Sequence, residues 1–329
     1  MRRVPSLGSL FRRRNDGAWD SGQTRKGTRI GVMGNCQARG VAQALRVLAP
    51  DARVSLLPMG RLTRDYRDLA AFAAALRSYD DVFLMPFAGF FPDGGSTELA
   101  TELASIRRFP GIVFPAFHPD MVYVGQIASQ ASTRLLPSPL HTYHSAIVLF
   151  GFLRGLDHAQ IVRLFRAEVF ERLGYLDMWP LAAAELLTYA TSTGLPLEAE
   201  FLRWSREGAF MHTFNHPTLS VLGDIAARLL REAGLAPAAL PLDAYLADDL
   251  LKDVVWPVYE PVAARYGVKG SALFKRRQKR EQAPAFLDLD GFVAESLALY
   301  RATPRAQLRC QRAEQWAERP DICALFDAA

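Results

Sequence analysis

Cys36 is the residue whose position most favours nucleophilic chemistry. It lies in the segment RIGVMGNCQARGVAQAL, residues 29–45, where an apolar run with β-branched Ile30 and Val32 changes to apolar residues at helical spacing. The first N–H groups of a helix have no partner within the helix, and the helix dipole adds to them, so an anion there is stabilised. The pattern therefore predicts a lowered pKa for the Cys36 thiol and more thiolate. A buried structural cysteine is the alternative.

Histidines are the side chains that would activate such a thiol. The chain has six, and four fall in two close pairs, His141 and His144 in HTYH and His212 and His216 in HTFNH. A neutral imidazole is the usual base for a thiol or hydroxyl, so we expect at least one histidine to approach Cys36. For each of them, a hydrogen-bonded core histidine is the alternative.

Local context separates the two candidate bases. His144 lies in HTYHSAIVLFGFLRGL, which predicts a buried helix over residues 141–156 with His141 and His144 on one face. His216 precedes Pro217, a favoured first helical residue. We predict His216 as the base, because that position is expected to be exposed enough to reach a substrate. His144 would then orient the thiol or the substrate from below.

Three further polar residues are candidates for contact with the reacting group. Asn35 and Gln37 flank Cys36, and their side chains or the neighbouring N–H groups are predicted to bind an oxyanion. His118, in FHPD, follows an apolar run that is predicted to be the fourth strand of a sheet. We therefore expect His118 at the same sheet edge as Cys36.

Zinc is the rival use of clustered histidines. A zinc site needs three or four converging ligands, which HxxH and HxxxH together contain. Neither pair has the acidic helper of an HExxH site, so we expect no metal. The chain also has no GxSxG, Walker or GxGxxG motif, which disfavours the common hydrolase, nucleotidase and dinucleotide-binding classes.

A basic segment, VKGSALFKRRQKR over residues 268–280, is the candidate phosphate-binding site. Ser271 lies in its Gly-Ser turn, and Lys275 and Arg276 begin its basic run. Lysine and arginine hold phosphates through charge-assisted hydrogen bonds, so we predict contact with the phosphates of a nucleotide-like ligand. A solvated charged loop is the alternative.

Strands and helices alternate through the first third of the chain. Strands are predicted over residues 29–35, 53–59, 81–87 and 111–117, and helices over 38–48, 64–76 and 96–108. Short apolar strands separated by helices are typical of a parallel sheet covered on both sides. The fold class is therefore α/β, a short parallel sheet in a three-layer, Rossmann- or SGNH-like arrangement. Ligands bind at the carboxyl edge of such sheets, which is where Cys36 falls.

The remainder of the chain is predicted to be a large additional helical half. Helices are expected over residues 141–156, 159–173, 179–189, 218–232, 244–266 and 287–300, with a break or kink at the prolines of the fifth. We interpret residues 28–329 as one compact unit, with an α/β layer over 28–120 and a mainly helical part over 121–329.

Composition and charge exclude several classes of protein. Half of the 329 residues are hydrophobic, and no apolar run approaches the length of a membrane span. The three cysteines have no metal-ligand spacing, which suits a reducing compartment, so we expect a cytoplasmic location. The net charge of +5 resides in residues 1–27, predicted to be a flexible basic arm with at most peripheral membrane contact. A neutral body argues against nucleic acid as a partner.

Five segments together resemble one known family. They are GNCQ, FHPD, YHSA, FNHPT and VVWPVYEPVAARYGVKGSALF, in this order from residue 29 to residue 274. The chain resembles the WcbI-type polysaccharide biosynthesis acetyltransferases. The resemblance implies Cys36 as the family's cysteine and His144 and His216 as its histidines. His141 stands where a smaller or acidic residue is expected, which leaves the partner that orients the histidine open.

The resemblance also implies an activity. It implies an enzyme that binds coenzyme A (CoA) and moves an acetyl group from acetyl-CoA to a sugar hydroxyl of a capsular or surface polysaccharide, with a polysaccharide or sugar nucleotide as acceptor. Either Cys36 is acylated, or a histidine activates the hydroxyl for direct attack on the thioester. One alternative is an SGNH-like esterase or deacetylase with a cysteine nucleophile. The other is a non-enzymatic polysaccharide-binding protein that uses Trp179, Trp204 and Trp256 as stacking surfaces.

Overall fold

The structure, a computed structural model, describes residues 27–129, 132–278 and 282–329. The basic arm predicted over residues 1–27 lies outside the described residues except for Gly27, and so do the last two residues of the basic segment. The strands are β1 (Arg29–Gly34), β2 (Arg53–Pro58), β3 (Asp81–Leu84), β4 (Ile106–Arg108), β5 (Met121–Tyr123), β6 (Gly125–Ser129), β7 (Ser132–Leu135), β8 (Tyr143–Ser145), β9 (Met211–Thr213), β10 (His216–Pro217), β11 (Phe274–Lys275) and β12 (Phe286–Leu287).

Helices make up most of the chain after residue 145. The helices are α1 (Cys36–Leu48), α2 (Leu62–Asp65), α3 (Leu69–Leu76), α4 (Ser96–Glu102), α5 (Ala146–Leu153), α6 (His158–Arg163), α7 (Ala167–Arg172), α8 (Trp179–Thr193), α9 (Glu198–Glu207), α10 (Leu219–Glu232), α11 (Glu260–Tyr266), α12 (Leu289–Ala302), α13 (Gln311–Ala317) and α14 (Pro320–Asp327). In the part of the chain that the structure describes, no helix is both long and apolar enough to cross a membrane.

A parallel sheet in the order β2–β1–β3–β4 confirms the predicted α/β fold. Side chains of β1 alternate between its faces: Ile30 and Val32 pack in the core that contains α1, and Met33 packs in the core that contains α3. Helices therefore cover both faces of the sheet. The larger core continues from Ile30 to Phe326, which joins the helical half to the sheet. That residues 28–329 form one compact unit stays a prediction.

The turn after β1 places Cys36 at the carboxyl edge of the sheet. Asn35 is the N-cap of α1, and its side chain accepts a hydrogen bond from the Gln37 N–H. The helix begins at Cys36, two residues earlier than the pattern predicted, so the position of the cysteine at a helix start is confirmed. Gly40 lets α1 lie close to α10, because a Cβ there would collide with Leu222.

The fourth strand of the sheet is not the one that the sequence predicted. Residues 106–108, expected to end a helix, form β4, while residues 111–114 lie outside the sheet and residues 115–117 form a 3₁₀ turn. Pro110 precedes this apolar run and Pro115 lies within it, and neither residue supplies an N–H to a ladder. The N–H and C=O of Ile112 bond instead to the Gln37 side chain, and the Phe114 N–H bonds to Phe214 O.

The predicted buried helix over residues 141–156 is shorter than expected. It begins at Ala146, because Ser145 caps it by accepting from the Val148 N–H. The residues before it form β8, antiparallel to β5, and His141 has a left-handed φ of 66° that no helix allows. His141 and His144 therefore do not share a helix face.

Several other predicted helices also differ from those in the structure. The predicted helices over 64–76 and 159–173 are each interrupted, and over 244–266 only α11 is helical, beginning beside Pro261. Helix α10 begins at Leu219 with Thr218 as N-cap, so His216 and Pro217 belong to a strand. Helices α9, α13 and α14 were not predicted.

Asp120 is a buried carboxylate between the sheet and the helical half. It is 0% exposed, and its Oδ1 accepts from the Ile147 N–H at 2.9 Å and from the Tyr175 hydroxyl at 3.1 Å. Burial raises the pKa of Asp120 to about 6, against the hydrogen bonds that it accepts. The unfolded chain, with an ordinary carboxyl pKa, is ionised from a lower pH than the folded chain.

The Asp120→Asn variant tests this burial. As pH rises from 4 to 7, the unfolded wild type loses the Asp120 proton before the folded state does, so wild-type stability falls relative to the variant by about 2 kcal/mol. Urea unfolding of both proteins at the two pH values measures the change. The control is Asp243→Asn, at an exposed carboxylate, whose difference from wild type stays constant. A pH-independent difference for Asp120→Asn would contradict the assignment.

Candidate active site

Cys36 and His216 meet at the carboxyl edge of the sheet. The Sγ atom of Cys36 lies 3.5 Å from Nε2 of His216. Cys36 is exposed at the start of α1, whereas His216 is only 4% exposed, so the expectation that His216 is exposed is wrong. A thiol and an imidazole at this distance can exchange a proton.

The hairpin of β9 and β10 carries His216 and is fixed to the start of α1 by Gln37. The Gln37 Nε2 donates to Asn215 O and to Ile112 O, both at 2.9 Å, and its Oε1 accepts from the Ile112 N–H. The side chain is 1% exposed. Its hydrogen-bonding groups are therefore used within the protein, and the prediction that the Gln37 side chain binds an oxyanion is wrong.

Two residues of the hairpin region orient His216. The Tyr143 hydroxyl donates to Asn215 Oδ1 at 2.8 Å, and its oxygen lies 3.4 Å from His216 Nε2. Burial raises the pKa of Tyr143, so this hydroxyl keeps its proton and the oxygen can accept from an imidazolium N–H. The buried Nδ1 of His216 has no hydrogen-bond partner among the described residues. Tyr143 thus contacts the same ring nitrogen as Cys36, and no described carboxylate occupies the Nδ1 side, where a Ser–His–Asp triad has its Asp.

Electrostatics keep both partners of the pair neutral. Although Cys36 is exposed to the cleft, the protein atoms around its thiol desolvate it and raise the thiol pKa, the carboxylate of Asp253 raises it further, and the N–H groups of Gln37 and Cys36 oppose this increase. The prediction of a lowered Cys36 pKa is therefore wrong, because desolvation outweighs the helix start. Burial lowers the pKa of His216, while the Asp253 charge opposes that change.

Of the two side chains predicted to bind an oxyanion, Asn35 is the one whose amide N–H groups remain available. Its Oδ1 caps α1, whereas its Nδ2 donates to no group in the described ranges. Asn35 is exposed and lines the same cleft as Cys36. Its amide N–H can therefore meet a charge that develops beside Sγ.

A cleft of about 800 Å³ opens beside Cys36. The loops that follow β1, β2 and β3 form its walls, with residues 34–36, 58–60 and 89–90 in contact with it. Its size is that of small-molecule and cofactor sites. Arg39 lines it one helical turn after Cys36 and is exposed, and no carboxylate in the described part of the chain lies within ion-pair distance of it.

His144 and His118 lie in the core and support the site from a distance. The Nε2–H of His144 donates to Leu136 O at 3.1 Å, and Nδ1 accepts from the Tyr300 hydroxyl at 2.9 Å. This anchors β8, the strand that carries Tyr143. The Nε2–H of His118 donates to Met211 O at 3.2 Å, which anchors β9. Burial lowers the pKa of each imidazole to about 4.

Residues 268–278 of the basic segment do not line the cleft. The Lys275 ammonium donates to Leu251 O and Asp253 O, and Arg276 is paired with Glu295. Ser271 lines a separate cavity with Phe165 and other residues. The structure thus separates Ser271, Lys275 and Arg276 from Cys36, and both Lys275 and Arg276 already have protein partners.

Sequence reasoning missed Tyr143, Asn215 and Arg39. Tyr143 and Asn215 lie within YHSA and FNHPT, next to the histidines that drew attention to those motifs. Arg39 is three residues after Cys36, a spacing that places both on one helix face. Within the described residues, no group of three or more His, Cys, Asp or Glu side chains is arranged to hold a metal ion.

Comparison with known proteins agrees with the motifs. Residues 29–238 match the family described as polysaccharide biosynthesis enzyme WcbI. The chain belongs to the WcbI family. The resemblance predicted from the sequence is confirmed. No curated protein matches the chain.

A solved WcbI structure is similar to this chain in fold. It is described as native WcbI, a polysaccharide biosynthesis enzyme, without the disulfide bond between CoA and a cysteine of that protein. The TM-score is 0.64 at 14% sequence identity, over 92% of this chain and 98% of that one. At this identity the similarity shows the fold, which extends through both the α/β layer and the helical half.

The two histidines differ in what their loss does to stability. We expect His144→Gln to lower the free energy of unfolding by about 1–3 kcal/mol, because one of its buried partners is left without a hydrogen bond. His216→Gln should stay within about 1 kcal/mol of wild type, because His216 makes only the contacts to Cys36 and Tyr143 that the structure describes. Urea unfolding of both variants makes the comparison. Equal losses would contradict the supporting role of His144.

Proposed function

We propose that this WcbI-family protein transfers an acyl group, acetyl in the first instance, from CoA to a sugar hydroxyl. The observation that carries the proposal is the Cys36–His216 pair, 3.5 Å apart, at a cleft large enough for the acyl-pantetheine end of CoA. The family's place in polysaccharide biosynthesis and the description of the related structure, which names CoA and a cysteine, support it.

In the first half of the reaction Cys36 becomes acylated. His216 Nε2 takes the thiol proton as Sγ attacks the thioester carbonyl, and the Asn35 Nδ2 group donates to the oxygen that becomes negative. The Tyr143 oxygen accepts from the imidazolium that forms. The C–S bond to CoA then breaks, and the CoA sulfur receives the proton from His216.

In the second half the acyl group passes to the sugar. His216 takes the proton of the acceptor hydroxyl, whose oxygen attacks the acyl-Cys36 carbonyl. The bond from carbonyl carbon to Sγ breaks, and His216 returns the proton to Cys36. The sum is acyl-CoA plus sugar hydroxyl giving sugar ester plus CoA, with the enzyme unchanged.

The covalent route is favoured over direct attack by the sugar. His216 Nε2 is already in contact with Sγ, and the ring is almost wholly buried. Direct attack by a hydroxyl on CoA would make no use of the contact between this imidazole and the thiol. The acyl-enzyme route instead brings the reacting carbonyl to the thiol that the imidazole contacts.

Arg39 is the proposed contact for a CoA phosphate. It lies on the cleft with Cys36, and the Lys275 and Arg276 groups predicted for this role are bound elsewhere. A guanidinium forms bidentate, charge-assisted hydrogen bonds with phosphate. The proposed phosphate site therefore moves from the basic segment to α1.

The two other functions raised by the sequence have less support. His216 lacks the hydrogen-bonded carboxylate of an SGNH-like esterase. The tryptophans expected to stack on sugars are not platforms, because Trp204 and Trp256 are each 1% exposed and Trp179 packs on Phe114 and Phe117.

Incubation with acetyl-CoA alone tests the covalent step. We expect intact mass spectrometry, after an acid quench, to show one added acetyl group, and peptide mapping to place it on Cys36. His216→Gln should slow formation of this adduct by about 10²–10⁴-fold, because the thiol at neutral pH then lacks its base. His144→Gln should form it at near the wild-type rate.

The matched control is Cys310→Ala together with Cys323→Ala, which leaves Cys36 as the single cysteine of the chain. The adduct should persist in that protein and disappear in Cys36→Ala. A protein that carries no adduct but still acylates an acceptor would contradict the Cys36 intermediate.

Arg39→Ala tests the placement of CoA. Loss of a charge-assisted contact of about 1.5–3 kcal/mol predicts roughly 10- to 100-fold weaker CoA binding by calorimetry, with a larger loss at low salt. Arg276→Ala, in the basic segment, is the control and should bind CoA as wild type does. The reverse outcome, with only Arg276→Ala weakened, would return the phosphate site to the basic segment.

A further inference from the structure

A second large cavity lies beside the hairpin that carries His216. It encloses about 750 Å³ between β5, the start of β6, Phe214 and residues 309–315. It shares no lining residue with the cleft that contains Cys36. The reaction proposed above needs a place for the acceptor sugar that CoA does not fill.

The lining of this cavity suits hydroxyl groups. Gln126, Gln311 and Gln315 are exposed on it, and their side-chain amides bond to no group in the described part of the chain. An amide offers two donors and an acceptor, which matches the donor-and-acceptor character of sugar hydroxyls. Arg309 is paired with Glu314 at 3.1 Å, so the lining is polar without being strongly basic. A phosphate-rich ligand would need more free cations.

The cavity continues into a neighbouring one of about 490 Å³. The two share Gly125, Gln126 and Arg309, and the second adds Arg134 and Gln307. Together they form one groove along β6, β7 and the segment before α13. Such a groove has room for more than one sugar unit, as a polymer or oligosaccharide acceptor requires.

The inner end of the groove connects to the catalytic pair by hydrogen bonds. Tyr123 lines the groove, and its hydroxyl accepts from Asn215 Nδ2 at 2.9 Å. Asn215 in turn accepts from Tyr143, whose oxygen lies 3.4 Å from His216 Nε2. Burial raises the pKa of Tyr123, and a negative charge on Cys36 raises it further, so the two groups interact electrostatically.

We propose that this groove, between β5–β7 and residues 306–315, binds the carbohydrate acceptor and delivers one of its hydroxyls past Tyr123 toward His216. The proposal rests on the acyl transfer proposed above, because it assigns the acceptor side of that reaction. The free amides of Gln311 and Gln315 hydrogen-bond to the sugar, and the exposed part of Tyr123 contacts its ring.

An array of bacterial surface oligosaccharides provides the probe. Fluorescently labelled wild-type protein, with CoA at saturating concentration, should bind a defined subset of the oligosaccharides. Gln311→Ala and Gln315→Ala should each weaken binding to that subset at least about tenfold, the loss of one or two hydrogen bonds. Gln278→Ala, at an exposed glutamine that does not line the groove, is the matched control and should bind as wild type.

Calorimetry with CoA separates this proposal from the acyl transfer. Gln311→Ala and Gln315→Ala should bind CoA with wild-type affinity, because neither residue lines the Cys36 cleft. Wild type that binds none of the oligosaccharides, or variants that bind them unchanged, would overturn the acceptor groove even with CoA bound. If the wild type binds the oligosaccharides but not CoA, and both variants lose oligosaccharide binding, the result would support the groove and contradict the acyl transfer.

Discussion

The amide of Gln37 is the contact on which the catalytic geometry depends. Its three hydrogen bonds, each 2.9 Å long, join the first turn of α1 to the residues after β4 and to the turn of the β9–β10 hairpin. Cys36 is fixed by the first of these elements and His216 by the last. Because the amide is buried, water cannot readily replace these bonds, so the backbone segments that carry the thiol and the imidazole are held beside each other.

Desolvation then determines the charge state of the pair. Burial favours the neutral form of both groups, and the Asp253 charge, which favours an imidazolium, disfavours a thiolate. The resting pair is therefore thiol and imidazole, and the proton moves only as the new bond to carbon forms. Tyr143 and Asn215 fit this scheme, because they stabilise the transient imidazolium without a fixed negative charge beside the thiolate.

The sequence pattern correctly predicted the structural features that depend on neighbouring residues. The strand, the turn and the helix around Cys36 follow from β-branched residues, an Asn cap and helical spacing, and the structure agrees to within two residues. The fourth strand was predicted at the wrong residues because Pro110 and Pro115 have no N–H to donate. The effect of that loss depends on which strands pair, and the local sequence does not show the pairing. The hydrogen-bond and ion-pair partners of His144, Lys275 and Arg276 could not be predicted, because the fold and not the nearby sequence brings Tyr300, Asp253 and Glu295 to them.

The central proposal is that CoA binds in the cleft at the carboxyl edge of the sheet and places its thioester beside Cys36. A crystal structure of the protein with CoA bound measures this directly. The account predicts the pantetheine sulfur in contact with Cys36 Sγ and a phosphate beside Arg39. CoA bound with its phosphates on Lys275 and Arg276, and its sulfur remote from Cys36, would contradict it.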